Sequence, residues 1–235
     1  EYAWTTSWGM TTRLIGAMVM THGDDDGMVV PPRLAPAHVV LLPIYRGDEG
    51  REQVMSYVNA LAAELGAQSY EGAPIAVEID DRDLRGGEKN WSWIKRGIPL
   101  RVEVGPRDVE GGAVTYAHRD EGTRDKHTMA RAEFVASAAT LLGGIQDRLF
   151  ERARAFRSEH TRSIDDWDEF VEFFRSEKGG GFALAHWSGD PAVEEKVKDM
   201  KVTIRCIPLE GAEESGKCIV TGKPSQQRVI FAKAY

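Results

Sequence analysis

Apolar and polar positions are arranged in different ways along this chain, and each change of pattern marks a change of organisation. Residues 1–9 are aromatic and β-prone, with no cap or polar leader ahead of them, and read as cut from something larger. Apolar residues 14–20 run into the turn-forming His22-Gly23-Asp24-Asp25-Asp26-Gly27, and Pro31, Pro32 and Pro36 mark a linker. Beyond the linker, candidate strands alternate with candidate helices, the signature of an α/β layer structure. The run 38–44 predicts a buried strand. Val54, Val58, Leu61, Ala62 and Leu65 recur at helical spacing and predict a helix over residues 51–65, stopped by Gly66. Ile75, Val77 and Ile79 alternate with other residues as a half-exposed strand does.

Residues 91–96 predict a short helix ended by Gly97, after which Leu100, Val102 and Val104 point one way while Arg101 and Glu103 point the other. That split puts a cation and a carboxylate on one sheet face, where they either read flat bases or form a cross-strand ion pair. A further strand over 113–118 delivers Arg119 at its end. Residues 129–160 predict a helix with Phe134, Ala138, Leu141, Ile145, Leu149, Ala153 and Phe156 in a stripe, and with Gly143-Gly144 as a break or kink. Trp167, Phe170, Val171 and Phe174 fall on one face of a second helix, as core. After Gly179-Gly180-Gly181, strands near 182–186, 202–207 and 228–232 with a helix over 191–200 predict a compact α+β unit.

Composition narrows the class. At 235 residues and 42% apolar content the chain can bury a real core, and two domains are expected. No stretch approaches the roughly 20 apolar residues of a membrane helix, so a cytoplasmic protein with no membrane partner is expected. Cys206 and Cys218 are too few for a disulfide framework or a four-thiolate zinc site, and Cys206 is expected in the core of its strand. The net charge of −7 argues against a nucleic-acid partner, yet from Arg82 to Arg131 eleven Lys and Arg stand against eight Asp and Glu. That segment suits either an RNA-facing surface or an ordinary solvated one.

The run Trp4-Thr5-Thr6-Ser7-Trp8-Gly9-Met10-Thr11-Thr12-Arg13-Leu14-Ile15-Gly16 resembles motif 3 of class II aminoacyl-tRNA synthetases, in the form used by prolyl-tRNA synthetases of the archaeal and eukaryotic type. The resemblance continues through Val29-Val30-Pro31-Pro32-Arg33-Leu34-Ala35-Pro36, Asp80-Asp81-Arg82-Asp83-Leu84-Arg85-Gly86-Gly87-Glu88-Lys89, Gly97-Ile98-Pro99-Leu100-Arg101-Val102-Glu103-Val104-Gly105-Pro106-Arg107-Asp108 and the final Arg228-Val229-Ile230-Phe231-Ala232-Lys233-Ala234-Tyr235. It implies the end of a class II catalytic domain over residues 1–34 and a five-stranded mixed-sheet anticodon-binding domain over 35–145. A C-terminal α+β domain over 146–235 follows.

By the same resemblance, Arg13 contacts ATP as the catalytic residue, with Thr11 nearby, and Ser7, Trp8 and Gly9 line the proline pocket. Arg101 and Lys126 would read the two G bases of the proline anticodon, with Glu103, Arg107 and Arg119 as further candidates. Ile94 departs from the Glu that many relatives carry there, so the reading of one base is expected to be rearranged. The intact enzyme would be a homodimer that joins proline to tRNA(Pro) through prolyl-adenylate, using ATP and Mg2+, and would bind no DNA. The 235 residues alone are expected to be inactive. The zinc ligands of relatives align with Ser188, Val193, Cys218 and Thr221, so no zinc is expected. The carboxylate of Tyr235 would dock near the catalytic centre. The other reading is a non-enzymatic tRNA-binding module or a synthetase-like accessory protein.

Overall fold

The computed structural model describes residues 2–45, 47–122, 124–175, 180–209, 211 and 213–233, with residues 48 and 49 as backbone only. The chain divides into two compact units, Glu1–Ala153 and Arg154–Tyr235. No helix among the described residues is long and apolar enough to cross a membrane.

The first unit opens with residues 2–12, which carry no regular structure and are exposed throughout. The β-prone pattern of residues 1–9 therefore forms no strand over its described part, because among the described residues no neighbouring strand completes its backbone hydrogen bonds or covers Trp4 and Trp8. Helix α1 follows (Arg13–His22), with no buried residue, then a 3-10 turn over Pro32–Leu34. The ordered α/β part comprises β1 (Val39–Pro43), α2 (Gly47–Gly66), the hairpin β2–β3 (Ser69–Tyr70, Ala73–Pro74), β4 (Val77–Ile79), α3 (Gly86–Arg96), β5 (Leu100–Val104), α4 (Pro106–Gly111), β6 (Ala113–His118), β7 (His127–Ala130) and α5 (Arg131–Glu159).

Its sheet has five strands in the order β4-β1-β5-β6-β7. Strand β1 is parallel to β4 and β5, while β6 is antiparallel to β5 and β7, which makes the sheet mixed as expected. Alternation along β1 explains the layering. Val39 and Leu41 join the core formed with α2 and α5, whereas Val40 and Leu42 face Trp93 of α3. Leu100, Val102 and Val104 follow the first face, so Arg101 and Glu103 necessarily emerge on the α3 side. Helix α5 runs unbroken through Gly143-Gly144, because Phe134, Ala138, Leu142, Ile145 and Leu149 hold it on the sheet and supply more burial than two glycines cost. Leu142 takes the buried position expected of Leu141.

The second unit contains β8 (Thr161–Ser163), α6 (Trp167–Arg175), β9 (Phe182–His186), α7 (Ala192–Lys198), β10 (Val202–Cys206), the small hairpin β11–β12 (Gly216–Lys217, Pro224–Ser225) and β13 (Arg228–Lys233). Its four-stranded sheet has the order β10-β13-β9-β8. Phe170, Phe174 and Phe231 pack edge to face in its core, as the aromatic spacing predicted for α6. Cys206 is a correction: it is exposed, because the register of β10 against β13 shifts between Ile204 and Cys206 and breaks the in-out alternation.

Candidate nucleic-acid interface

On the α3 side of the first sheet, β5 and the approach to β7 bring together three of the expected tRNA-contact residues. Lys126 donates to Glu103 Oε2 at 2.7 Å, with 44% of the Lys126 side chain exposed. Beside this pair lies an open cleft of about 530 Å³ lined by Ile44, Glu103, Gly105, Pro106, Arg107, Asp108 and Thr115. Arg107 stands exposed on the cleft's edge. Asp108 shapes the floor by accepting from Gly105 N at 2.8 Å and from the Thr115 hydroxyl at 3.1 Å.

Arg101 lies deeper, only 2% exposed. Its Nε donates to Asn90 Oδ1 at 3.0 Å, and its Nη1 is buried without a hydrogen-bond partner among the described residues. Burial and the neighbouring Arg119 charge pull its pKa down to about 10, so it stays a cation at neutral pH. A buried donor left unpaired costs about 1–3 kcal/mol, a cost that an ordered water or a bound acceptor removes.

Arg119 is placed differently from the other candidates. Its guanidinium is fully buried and bidentate on Asp24, at 2.7 Å and 2.6 Å, while Nε donates to the Ile94 carbonyl at 2.9 Å. It pins the turn Asp24–Gly27 against the end of α3. Two glycines permit that approach: a Cβ on Gly27 would lie 2.7 Å from the Lys95 Cα, and one on Gly97, at φ +76°, would lie 2.5 Å from the Met28 carbonyl oxygen.

Helix α3 itself is anchored through Asp80. The carboxylate accepts from Arg82 Nε and Nη2 at 2.8 and 2.7 Å and from Trp93 Nε1 at 2.7 Å, while buried Lys89 donates to the Asp80 carbonyl. The Arg82 bonds, reinforced by Trp93 against the opposing effect of burial, hold the Asp80 pKa down at about 2. Trp93 and Ile94 are therefore packing residues, whereas Trp91 is 42% exposed with Lys95 Nζ 5.7 Å from its ring. Asp24, Asp80 and Asn90 were missed as partners in the sequence, which carries no signal for them because each bonds across a long chain separation or through a side-chain orientation set by the fold.

The motif-3-like residues are arranged otherwise. Ser7, Trp8, Gly9 and Thr11 lie in the exposed stretch before α1, and Arg13, exposed as well, begins that helix. The terminal Tyr235 lies outside the described residues. In the second unit, the positions aligned with a zinc site do converge in part. Ser188 Oγ and Thr221 Oγ1 are 3.4 Å apart, and hydrogen bonds from Thr221 and Ser188 outweigh the upward push of burial to bring Cys218 down to about 7. Val193 is fully buried and packs in the core instead. His186 is satisfied internally, 3.2 Å from Ser225 Oγ.

Two family models match the chain. One described as "Anticodon binding domain" covers residues 38–140, and one described as "Prolyl-tRNA synthetase, C-terminal" covers residues 167–235. Among curated proteins, the whole chain is 55% identical to proline–tRNA ligase 2 of Anaeromyxobacter dehalogenans and 51% identical to the proline–tRNA ligase of Bdellovibrio bacteriovorus, covering 48% of each. It is 47% identical to the proline–tRNA ligase of Protochlamydia amoebophila, again over 48% of that protein. The chain thus spans about half the length of the curated relatives it matches.

Proposed function

The chain belongs to the prolyl-tRNA synthetase family, and on that premise we propose that the whole protein is a cytoplasmic, homodimeric proline–tRNA ligase in which this portion reads the anticodon of tRNA(Pro). The observation that carries the reading is the part-exposed Lys126–Glu103 pair on one sheet face, with Arg101 Nη1 beside it, a buried donor that has no partner among the described residues. Guanine offers O6 and N7 as acceptors, which suits exposed Lys126 directly and Arg101 only once α3 gives access to its covered guanidinium, and donors on its Watson–Crick edge, which suit the Glu103 carboxylate. Arg107 serves the phosphate backbone at the rim of the cleft. Arg119 acts from within, by holding the wall behind α3, since its guanidinium is spent on Asp24 and Ile94. Ile94 is buried, so acceptor duty falls to Glu103 in this chain.

The aminoacylation chemistry belongs to the proposal as well. Proline and ATP, with Mg2+, would be activated in a site to which Ser7, Trp8, Gly9, Thr11 and Arg13 contribute one wall, residues 1–34 being the end of a catalytic domain. Those residues are exposed, so further walls would have to come from elsewhere in the whole protein. The direct test is filter binding of tRNA(Pro) to Arg101→Met and Lys126→Ala variants. Each is expected to bind at least about tenfold more weakly, the 1–3 kcal/mol of one base contact; unchanged affinity in both would remove this face from the anticodon.

A further inference from the structure

Strand alternation sends one set of β6 side chains to the side opposite Arg101 and Glu103. Val114 and Tyr116 join the core under α5, and His118 follows them at the strand's end. The antiparallel register pairs Tyr116 with His127, so the start of β7 brings a second imidazole to the same spot. Both rings pack on Tyr116, at centroid distances of 5.6 and 5.3 Å, and lie 5.4 Å from each other. The connecting loop then folds Glu121 between them, 3.1 Å from His127 Nε2 and 3.6 Å from His118 Nδ1. One ligand atom from each of the three residues lies within 4.8 Å of the others.

We propose that His118, Glu121 and His127 form a binding site for a divalent transition-metal ion of the zinc type, closed across the β6–β7 hairpin. Two imidazoles and one carboxylate are a donor set that such ions favour over the hard cations, and three protein ligands leave a fourth position for water. In a zinc site donors stand about 2.0–2.2 Å from the metal, so the present spacing needs a contraction of order 1 Å, within reach of an exposed His127 and a loop-borne Glu121.

Arg148 is the group a metal would displace. Its Nη2 sits 2.8 Å from His118 Nδ1 and 3.4 Å from Glu121 Oε1, while its Nε donates to Asp120 Oδ2 at 2.7 Å. Asp120, itself nearly closed to solvent, gives the guanidinium a place to remain once the metal takes His118 and Glu121. The site therefore holds a cation in either state, which accounts for a preformed arrangement of two histidines around one carboxylate.

Titration of the purified protein with Co2+ at pH 7.5 tests the site through the visible d–d absorption of bound cobalt. One saturable equivalent is expected, unaltered by Cys218→Ser, and weakened by His127→Ala by more than the roughly 10–100-fold that loss of an outer-shell partner costs. His127 is exposed, so its variant should fold, and its metal-free melting curve checks that. Arg148→Ala is expected to bind at least as tightly as the parent, since the competing cation is gone. No saturable band, binding unchanged in His127→Ala, binding lost in Cys218→Ser, or weaker binding in Arg148→Ala would each overturn the assignment.

Discussion

Arg119 and Asp24, 95 positions apart, form a bidentate ion pair at 2.6 and 2.7 Å in which the guanidinium is sealed from solvent and the carboxylate is half open to it. The pair joins the turn after α1 to the end of β6, behind the helix that covers the candidate interface. Removing Asp24 leaves a buried charge unpaired. Asp24→Ala should therefore destabilise the first unit by about 2–3 kcal/mol, less than the 3–5 of a fully enclosed pair because water reaches Asp24. Arg119→Lys should not preserve stability, since an ammonium cannot serve Asp24 twice and the Ile94 carbonyl as well. Urea unfolding measures both, and parental stability in either variant would contradict the role assigned to the pair.

Asp80 sets an acid limit on the same region. Its pKa is lowered from an ordinary 3.8 to about 2, so its contribution to stability is present in full above about pH 4 and is lost as pH falls through 2. The shift corresponds to about 2 kcal/mol. Asp80→Asn should lose that stabilisation at neutral pH and show a flatter stability profile between pH 4 and 2. Denaturation midpoints measured across that range check the slope.

The two cysteines should react in the order of their exposure. Cys218 is lowered to about 7, yet it is only 2% exposed, whereas Cys206 is at the surface. One thiol should label rapidly with a thiol reagent in the folded protein and map to Cys206, and the second should label on unfolding. Equal fast labelling of both would show that the Ser188–Cys218–Thr221 corner is open.

These residues also show where sequence reading stops. Period-2 alternation placed Leu100, Val102 and Val104 against Arg101 and Glu103, and helical spacing placed Val54, Val58, Leu61 and Leu65, because burial on one face is written directly in residue order. The orientation of Cys206 was not legible, since a register shift reverses alternation without leaving a compositional trace. Gly143-Gly144 suggested a break by local propensity, and tertiary packing on the sheet overrode it. Within the candidate interface, the side of the sheet was legible for Arg101, but its depth under α3 was not. The Asp24 partner of Arg119 and the meeting of His118 with His127 depend on which strands pair, which no local pattern records.

A chain of this extent should lack adenylation on its own. Ser7, Trp8, Gly9, Thr11 and Arg13 are exposed. ATP–pyrophosphate exchange with proline should stay at background for residues 1–235, and a rate above it would show that these residues suffice.

The proposed recognition of tRNA(Pro) by this portion depends on the two G bases of the anticodon. Gel-shift competition between tRNA(Pro) and the same tRNA with both anticodon G bases changed measures it most directly. The changed tRNA should compete at least about tenfold less well at fixed salt, from the loss of base contacts of 1–3 kcal/mol each. Equal competition by the two tRNAs would contradict it, leaving only sequence-independent attraction to the RNA backbone.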